Sequence, residues 1–224
     1  MTVRILPRGF VTLQDSMGDD LSVIRAARVS YGKEANEVFD TEKDGKLLKY
    51  LLKNSHWSPF EHTSLTFHVK APIFVARQWF RHKSWSFNEI SGRYRELETD
   101  FYRPPTWRGQ SKVNKQASEG AIPAAAQESA DYFYEQSLRN AVIGYNTLLD
   151  MGVARELARM VLPVSLYTEF YATANLRSVL HFLDQRLDSH AQLEIQEYAS
   201  DIAAITRRVF PHTLEAWEKL KEER

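Results

Sequence analysis

The chain is expected to fold as an α+β protein of one domain, with a mixed sheet flanked by helices, and three observations lead there. Alternating apolar and polar residues, clearest over 63–70, are interspersed with stretches whose apolar residues recur every three or four positions, clearest over 124–150. Their order is irregular: there is no regular βαβ alternation and no GxGxxG turn between a strand and a helix. No internal repeat or low-complexity tract divides residues 1–224, and 224 residues suffice to bury a sizeable core.

In chain order, residues 3–14 read as an edge strand broken by Pro7 and Gly9. Leu21, Ile24, Ala27 and Arg28 recur at helical spacing and predict a helix over 19–30. Thr41 is the expected N-cap of the next helix, whose stripe is Leu47, Leu48, Leu51 and Leu52, with Ser58-Pro59 beyond its end. Over 63–70, Leu65, Phe67 and Val69 alternate with Thr66, His68 and Lys70, the pattern of a half-buried strand. Pro72 suits the first turn of a helix over 72–82, with Val75, Ala76, Trp79 and Phe80 on one side and Arg77, Gln78, Arg81 and His82 on the other.

Residues 83–91 then read as a loop, and 104–123 is the most loop-like segment of the chain. A long helix over 124–150 takes its apolar positions from Tyr132, Phe133, Leu138, Tyr145, Leu148 and Leu149, and Gly152 stops it. A helix over 153–162 closes at Pro163, 164–174 is rich in strand formers, and helices follow over 176–187 and 189–209 with a last one after them.

Twenty-nine basic residues balance twenty-nine acidic ones, so any anion site must be local; a nucleic-acid partner is not expected. No apolar run approaches the roughly 20 residues of a membrane span, and the first residues lack a signal-peptide apolar region. No membrane partner and a cytoplasmic location are expected. With no cysteine, thiolate metal ligation and a cysteine nucleophile are excluded.

Residues 81–93 are the richest in chemistry: Arg-His-Lys-Ser-Trp-Ser-Phe-Asn-Glu-Ile-Ser-Gly-Arg, with Arg77 and Gln78 just upstream. Such a density of cations and small donors suits phosphate oxygens and a flat polar ring; a solvated helix end with a polar loop is the plain alternative. Arg81, His82, Lys83 and Arg93 are expected to pack near Asn88 and Ser91, where their mutual repulsion would favour an anion. In the run 56–62, His56, Glu61 and His62 do not match the HExxH spacing, so no metal is expected; plain loop histidines or a ligand-contacting loop remain. A third group joins Asn175, Arg177 and His181, then Arg186, Asp188 and His190, with Arg155 and Arg159 on a neighbouring helix. The pairs 177/181, 186/190 and 155/159 are each one helical turn apart, and together these patches favour a shared anionic ligand.

The run Arg81-His82-Lys83-x-x-Ser86-x-Asn88-x-x-Ser91-x-Arg93 closely resembles the RHRxxSxNxxSxR signature of the flavin-dependent thymidylate synthases, the ThyX family. Residues 28–32, 58–62, 67–72 and 187–192 are also similar to that family, so the likeness spans about residues 1–212. One position departs: Lys83 stands where the family usually has arginine, keeping the charge but losing the bidentate fork.

The resemblance implies reductive methylation of dUMP to dTMP, with methylenetetrahydrofolate as carbon donor, FAD as hydride donor and NADPH recharging the flavin. It implies a homotetramer with active sites where subunits meet. Carried over residue by residue, it assigns dUMP to Gln78, Glu89, Ser91, Gly92, Arg93, Arg159 and Arg186, with Arg186 polarising the uracil and Ser91 positioned near the ring. It assigns FAD to Ser30, Ser58, Glu61, Arg81, His82, Lys83, Asn175, Arg177, His181 and His190, and folate or nicotinamide to His56 and Trp57. The absent cysteine fits, since a thiolate cannot activate the pyrimidine here. Two other readings stay open: a flavin- and folate-dependent uridine methyltransferase acting on RNA, and a nucleotide or flavin sensor without turnover.

Overall fold

A computed structural model of the protein describes residues 2–5, 8–32 and 38–223. The elements run β1 (Thr2–Ile5), β2 (Gly9–Met17), α1 (Asp20–Val29), α2 (Lys43–Lys53), a 3₁₀ turn (Ser58–Glu61), β3 (Ser64–Pro72), α3 (Ile73–Trp79), β4 (Ser86–Glu89), β5 (Arg108–Gln110) and β6 (Ser118–Ala121). They continue with α4 (Ala124–Asp150), α5 (Arg155–Ala158), a 3₁₀ turn (Arg159–Val161), β7 (Tyr167–Ala174), α6 (Leu176–Arg186), α7 (Leu193–Val209) and α8 (Pro211–Glu222).

Five strands form one sheet in the order β1-β2-β3-β7-β4, and β5 and β6 form a separate hairpin. Every pairing in the large sheet is antiparallel, which corrects the expected mixed sheet. The physical reason was already in β3: clean in–out alternation belongs to an antiparallel sheet covered on one face, whereas parallel strands are buried on both. Leu65, Phe67 and Val69 are fully buried, and their partners Ala174, Ala172 and Phe170 share the core face. On the opposite face Thr66 and Thr173 hydroxyls meet at 3.0 Å, and His68 stacks on Tyr171 with ring centroids 5.0 Å apart. The expected edge strand over 3–14 is two strands, β1 and β2, with Gly9 opening the second; Pro7 lies outside the described residues.

Helices α1, α2, α3, α6, α7 and α8 close the core over the sheet. Trp79 is its hub, with ring centroids 4.7 Å from Phe182, 5.5 Å from Phe170, 5.8 Å from Trp85 and 6.2 Å from Tyr198. Removing such a ring would cost about 3–5 kcal/mol. More to the point, it fixes α3 between the sheet and α6. A smaller apolar cluster of Phe101, Leu138 and Leu166 seats α4.

Local chemistry sets several boundaries. Asp19 caps α1 in a reciprocal box with Ser22. Glu42 rather than the expected Thr41 stands at the N-cap of α2, and the N–H groups there are held from Asp40, whose carboxylate accepts from Glu42 and Lys43, each at 3.0 Å. Gly152 adopts φ +80° after α4, as expected of a left-handed stop. Of the expected apolar positions on α4, Leu138 and Tyr145 are buried, but Tyr132 and Phe133 are exposed. The expected loop over 104–123 contains the β5–β6 hairpin, and the helix over 153–162 is a single turn of α5 running into a 3₁₀ turn.

Candidate active site

The expected helix over 72–82 stops at Trp79, and Pro72 stands at its N-cap rather than inside its first turn. The His82 N–H bonds to the Trp79 carbonyl at 2.9 Å instead of reaching back one residue further to Gln78. That leaves the Gln78 carbonyl without a helical donor, as the last carbonyls of any helix are left. Arg186, at the end of α6, donates to it from Nη2 at 3.2 Å, and from Nε to His82 Nε2 at 3.0 Å. His82 therefore turns inward. It is only 5% exposed, edge-on to Phe182 at 5.0 Å, with the His181 ring 5.9 Å away. Burial first, then the charge of Arg186 and the neighbouring His181, lowers its pKa to about 4, so the ring is neutral at neutral pH. Burial also lowers the pKa of Arg186 from its ordinary value. The Gln78 side chain donates to Gln192 Oε1 at 2.6 Å, tying α3 to the start of α7.

Beside this group lies a cavity of about 220 Å³ lined by Trp57, Arg177, Ser178, His181 and Asp184. α6 presents Arg177 and His181 there because Val179, Leu180 and Leu183 are fully buried on its other side, as their spacing predicted. Arg177 pairs with Glu61 on the 3₁₀ turn that also carries Ser58. Asn175 caps α6, its carboxamide oxygen accepting from Ser178 N–H at 2.9 Å. His181 contacts Gln185 at 3.1 Å. His56 is exposed, edge-on to Tyr50 at 5.6 Å. Arg81, Lys83 and Ser30 are exposed, Ser30 at the C-cap of α1. His190 does not lie one helical turn from Arg186, because α6 has ended; it bonds Asp188 instead, at 2.8 Å.

A second cavity, of about 290 Å³, has Arg77, Phe80, Glu89, Gly92, Arg159 and Thr168 in its wall. Strand β4, in a stretch expected to be loop, carries Glu89 here by pairing with β7. Glu89 accepts from the Thr168 hydroxyl at 2.6 Å. Ser91 Oγ accepts from Arg93 N–H at 3.3 Å. The Arg93 guanidinium lies 5.8 Å from the Tyr94 ring and 3.9 Å from the Glu156 carboxylate. Arg159 donates to the Glu156 carbonyl at 3.4 Å, so Glu156 serves both arginines by different atoms. Gly92 is buried under Leu97 and the Arg159 side chain, and the Leu97 N–H is held by Tyr145 Oη at 2.9 Å from α4.

The cations of 81–93 thus do not converge around Asn88 and Ser91 as expected. His82 faces α6, while Arg93 sits beside Glu156. Within one chain the residues expected at dUMP divide: Glu89, Gly92 and Arg159 line one cavity, while Gln78 and Arg186 meet His82. Arg77, Thr168, Ser178 and Asp184 line these cavities without having been assigned to a ligand. Arg77 had a signal in its place one residue before Gln78; Thr168 and Ser178 had none, since each matters only through the fold.

A family model described as "Thymidylate synthase complementing protein" matches residues 12–212. The chain belongs to that family. Its relatives include the flavin-dependent thymidylate synthase of Thermosipho africanus, 50% identical over 98% of this chain and 95% of that one. The flavin-dependent thymidylate synthase of Thermus thermophilus is 49% identical over 98% of this chain and 79% of its own. Among solved structures, a UMP/dUMP methylase, PolB, from Streptomyces cacaoi bound with 5-Br dUMP superposes with a TM-score of 0.87 at 38% identity, covering 97% of each chain. The run 81–93 is therefore spread over the fold: His82, just beyond α3, meets α6, and Glu89, Ile90 and Gly92 border the second cavity.

Proposed function

We propose that this protein, as one catalytic domain over 1–224, is a flavin-dependent thymidylate synthase that converts dUMP to dTMP, with methylenetetrahydrofolate giving the carbon and NADPH-reduced FAD the hydride. The carrying observation is Arg186: a half-buried guanidinium fixed at two points, by His82 and by the Gln78 carbonyl, in a member of this family.

The two cavities hold complementary halves of such a site. Arg159 and Arg93, with the backbone at Gly92, suit the phosphate and sugar; Arg159 is at hand because Gly92 leaves room for its stem. Arg186 faces the uracil and stabilises the negative charge that grows on the ring as it is activated. Glu89, positioned by Thr168, and Gln78 orient the nucleotide. Ser91 is a positioning group: its hydroxyl meets a backbone N–H, and a serine without a base is a weak nucleophile. No cysteine is available, so polarisation by Arg186 carries the activation.

The cavity along α6 fits a flavin dinucleotide in chemistry. In its lining Arg177 and His181 offer donors to a pyrophosphate and Trp57 offers aromatic surface; Arg81, Lys83, His190 and His56 are exposed outside that lining, free to meet the rest of the ligand. Glu61, Ser58, Ser30 and Asn175 would place it; Asn175 does so by holding the start of α6. At about 220 Å³ the cavity is smaller than the ~300–1,000 Å³ usual for such ligands, so one chain holds only part of the dinucleotide. This supports a homotetramer whose subunits complete one another's sites. The exposed Tyr132, Phe133, Met160, Val161 and Val164 supply apolar surface for association. We place the enzyme in the cytoplasm with its nucleotide substrate; no helix among the described residues is long and apolar enough to cross a membrane.

One observation favours a broader substrate range: the neighbour from Streptomyces cacaoi is described as acting on UMP and dUMP alike, and was solved with 5-Br UMP as well. A single-turnover assay tests both points. FAD-loaded protein is reduced anaerobically, mixed with methylenetetrahydrofolate and either dUMP or UMP, and the methylated nucleotide is quantified. About one dTMP per site is expected; no product from reduced, flavin-bound protein would sink the proposal.

A further inference from the structure

Around these cavities Arg177 pairs with Glu61, Arg93 with Glu156 and Arg155 with Glu96, while Arg159 donates to the Glu156 carbonyl. Arg186 is held differently. Its two anchors are an imidazole nitrogen and a backbone carbonyl, neither of which carries charge at neutral pH. We propose that His82 is a positioning residue for Arg186, a buried imidazole that aims the guanidinium without setting a carboxylate against it. This rests on the assignment of Arg186 to the uracil.

The geometry leaves His82 little else to do. Its ring is buried between Phe182 and His181, and Nε2 accepts from Arg186 Nε–H, so the ring's one proton sits on Nδ1. A carboxylate in its place would hold the guanidinium as firmly but would cancel its charge where the pyrimidine needs it. Lysine or a protonated histidine would repel it. A neutral acceptor satisfies the buried Nε–H and leaves the field of the cation intact. With Nε and one Nη2 donor engaged, the remaining guanidinium N–H groups share one fixed plane, the arrangement that suits the edge of a polar ring. The burial that lowers the pKa of His82 keeps the ring an acceptor across the working pH range.

The test compares His82→Gln, whose Oε1 can replace Nε2, with His82→Leu, which fills the space and cannot accept. Positioning predicts that His82→Leu lowers kcat/KM for dUMP by about 100-fold while His82→Gln stays within about fivefold, the two compared at equal FAD loading. Equal losses in the two variants would overturn it. A double-mutant cycle with Arg186→Ala, read as dUMP affinity from the perturbation of the flavin spectrum, predicts that His82→Leu adds nothing once Arg186 is gone; additive losses would also overturn it. A measurement on the unaltered holoenzyme covers failure of the variants to fold: ¹⁵N imidazole shifts at neutral pH should show His82 protonated on Nδ1 alone, and a proton on Nε2 would end the proposal. Should the unaltered enzyme make no dTMP, the functional assignment fails, while the cycle and the tautomer still decide the role of His82.

Discussion

Thr168 donates its hydroxyl to Glu89 Oε1 at 2.6 Å, joining a buried position on β7 to a carboxylate at the lip of the second cavity. Glu89 is exposed, and this bond restrains where its carboxylate points. Thr168→Val keeps the shape and removes the donor. It should raise KM for dUMP by about three- to tenfold with little change in kcat, whereas Thr168→Ser should restore the unaltered value. Steady-state kinetics on the three proteins check this; an unchanged KM in Thr168→Val would deny Glu89 a part in nucleotide binding.

Gly92 is required by space. A Cβ there would stand 2.8 Å from Leu97 Cδ1 and 3.2 Å from Arg159 Cδ. Gly92→Ala must push one of them aside, at about 1–3 kcal/mol of stability and with Arg159 displaced from the cavity. Activity should fall about tenfold or more, and Leu97→Ala in the same protein should recover part of it, since truncating Leu97 opens the space. Failure of that second change to help would point to the backbone instead.

Arg186→Ala should leave FAD bound and dTMP formation below detection, because the proposed role of the guanidinium is on the uracil. Flavin content by absorbance and product by chromatography separate the two, and loss of flavin from the folded variant would contradict the role.

Ser91→Ala should retain measurable turnover, since Ser91 Oγ meets only the Arg93 N–H among the bonds described and no base activates it. Complete loss of product with dUMP still bound would restore serine as a nucleophile.

The pKa of His82 gives a pH dependence of stability whose sign is fixed. The folded value, about 4, lies below the ordinary 6.5, so between them the unfolded chain binds the extra proton and acid favours unfolding. This contribution is complete above pH 6.5 and shrinks as pH falls toward 4, about 2 kcal/mol of it gone by pH 5. Burial of Asp20, Glu197 and Asp201 raises their pKa values and acts in the opposite sense. The informative quantity is therefore the difference between the unaltered protein and His82→Gln in urea denaturation at pH 7.5 and pH 5, where the variant should lose less.

The long helix α4 and the strand β3 were legible in the sequence because local pattern alone decides them: twenty-seven residues of sustained period in one, strict alternation in the other. The end of α3 was not. No glycine or proline follows Trp79, and the turn at His82 exists because Trp85 and His82 pack inward against Phe182. Strand β4 carries one apolar residue, Phe87, and owes its shape to β7, more than eighty positions later. Tyr132 and Phe133 fit the helical stripe of α4, yet among the described residues nothing covers them. The candidate site residues were assigned by resemblance; that some line one cavity, some the other, and Gln78 and Arg186 meet at His82 could come only from the fold.

The seven-residue length of α3 has a consequence for anyone altering this protein. Lengthening a short helix by a turn is a routine way to make a fold more robust, and residues 80–82 accept helical sequence readily. Here the extra turn would let His82 N–H claim the Gln78 carbonyl and would swing the imidazole off Arg186. The protein would trade the His82–Trp79 backbone bond for one to Gln78 and lose both anchors of Arg186. Its brevity at this point marks a ceiling on stabilisation, set by the chemistry the helix end must serve.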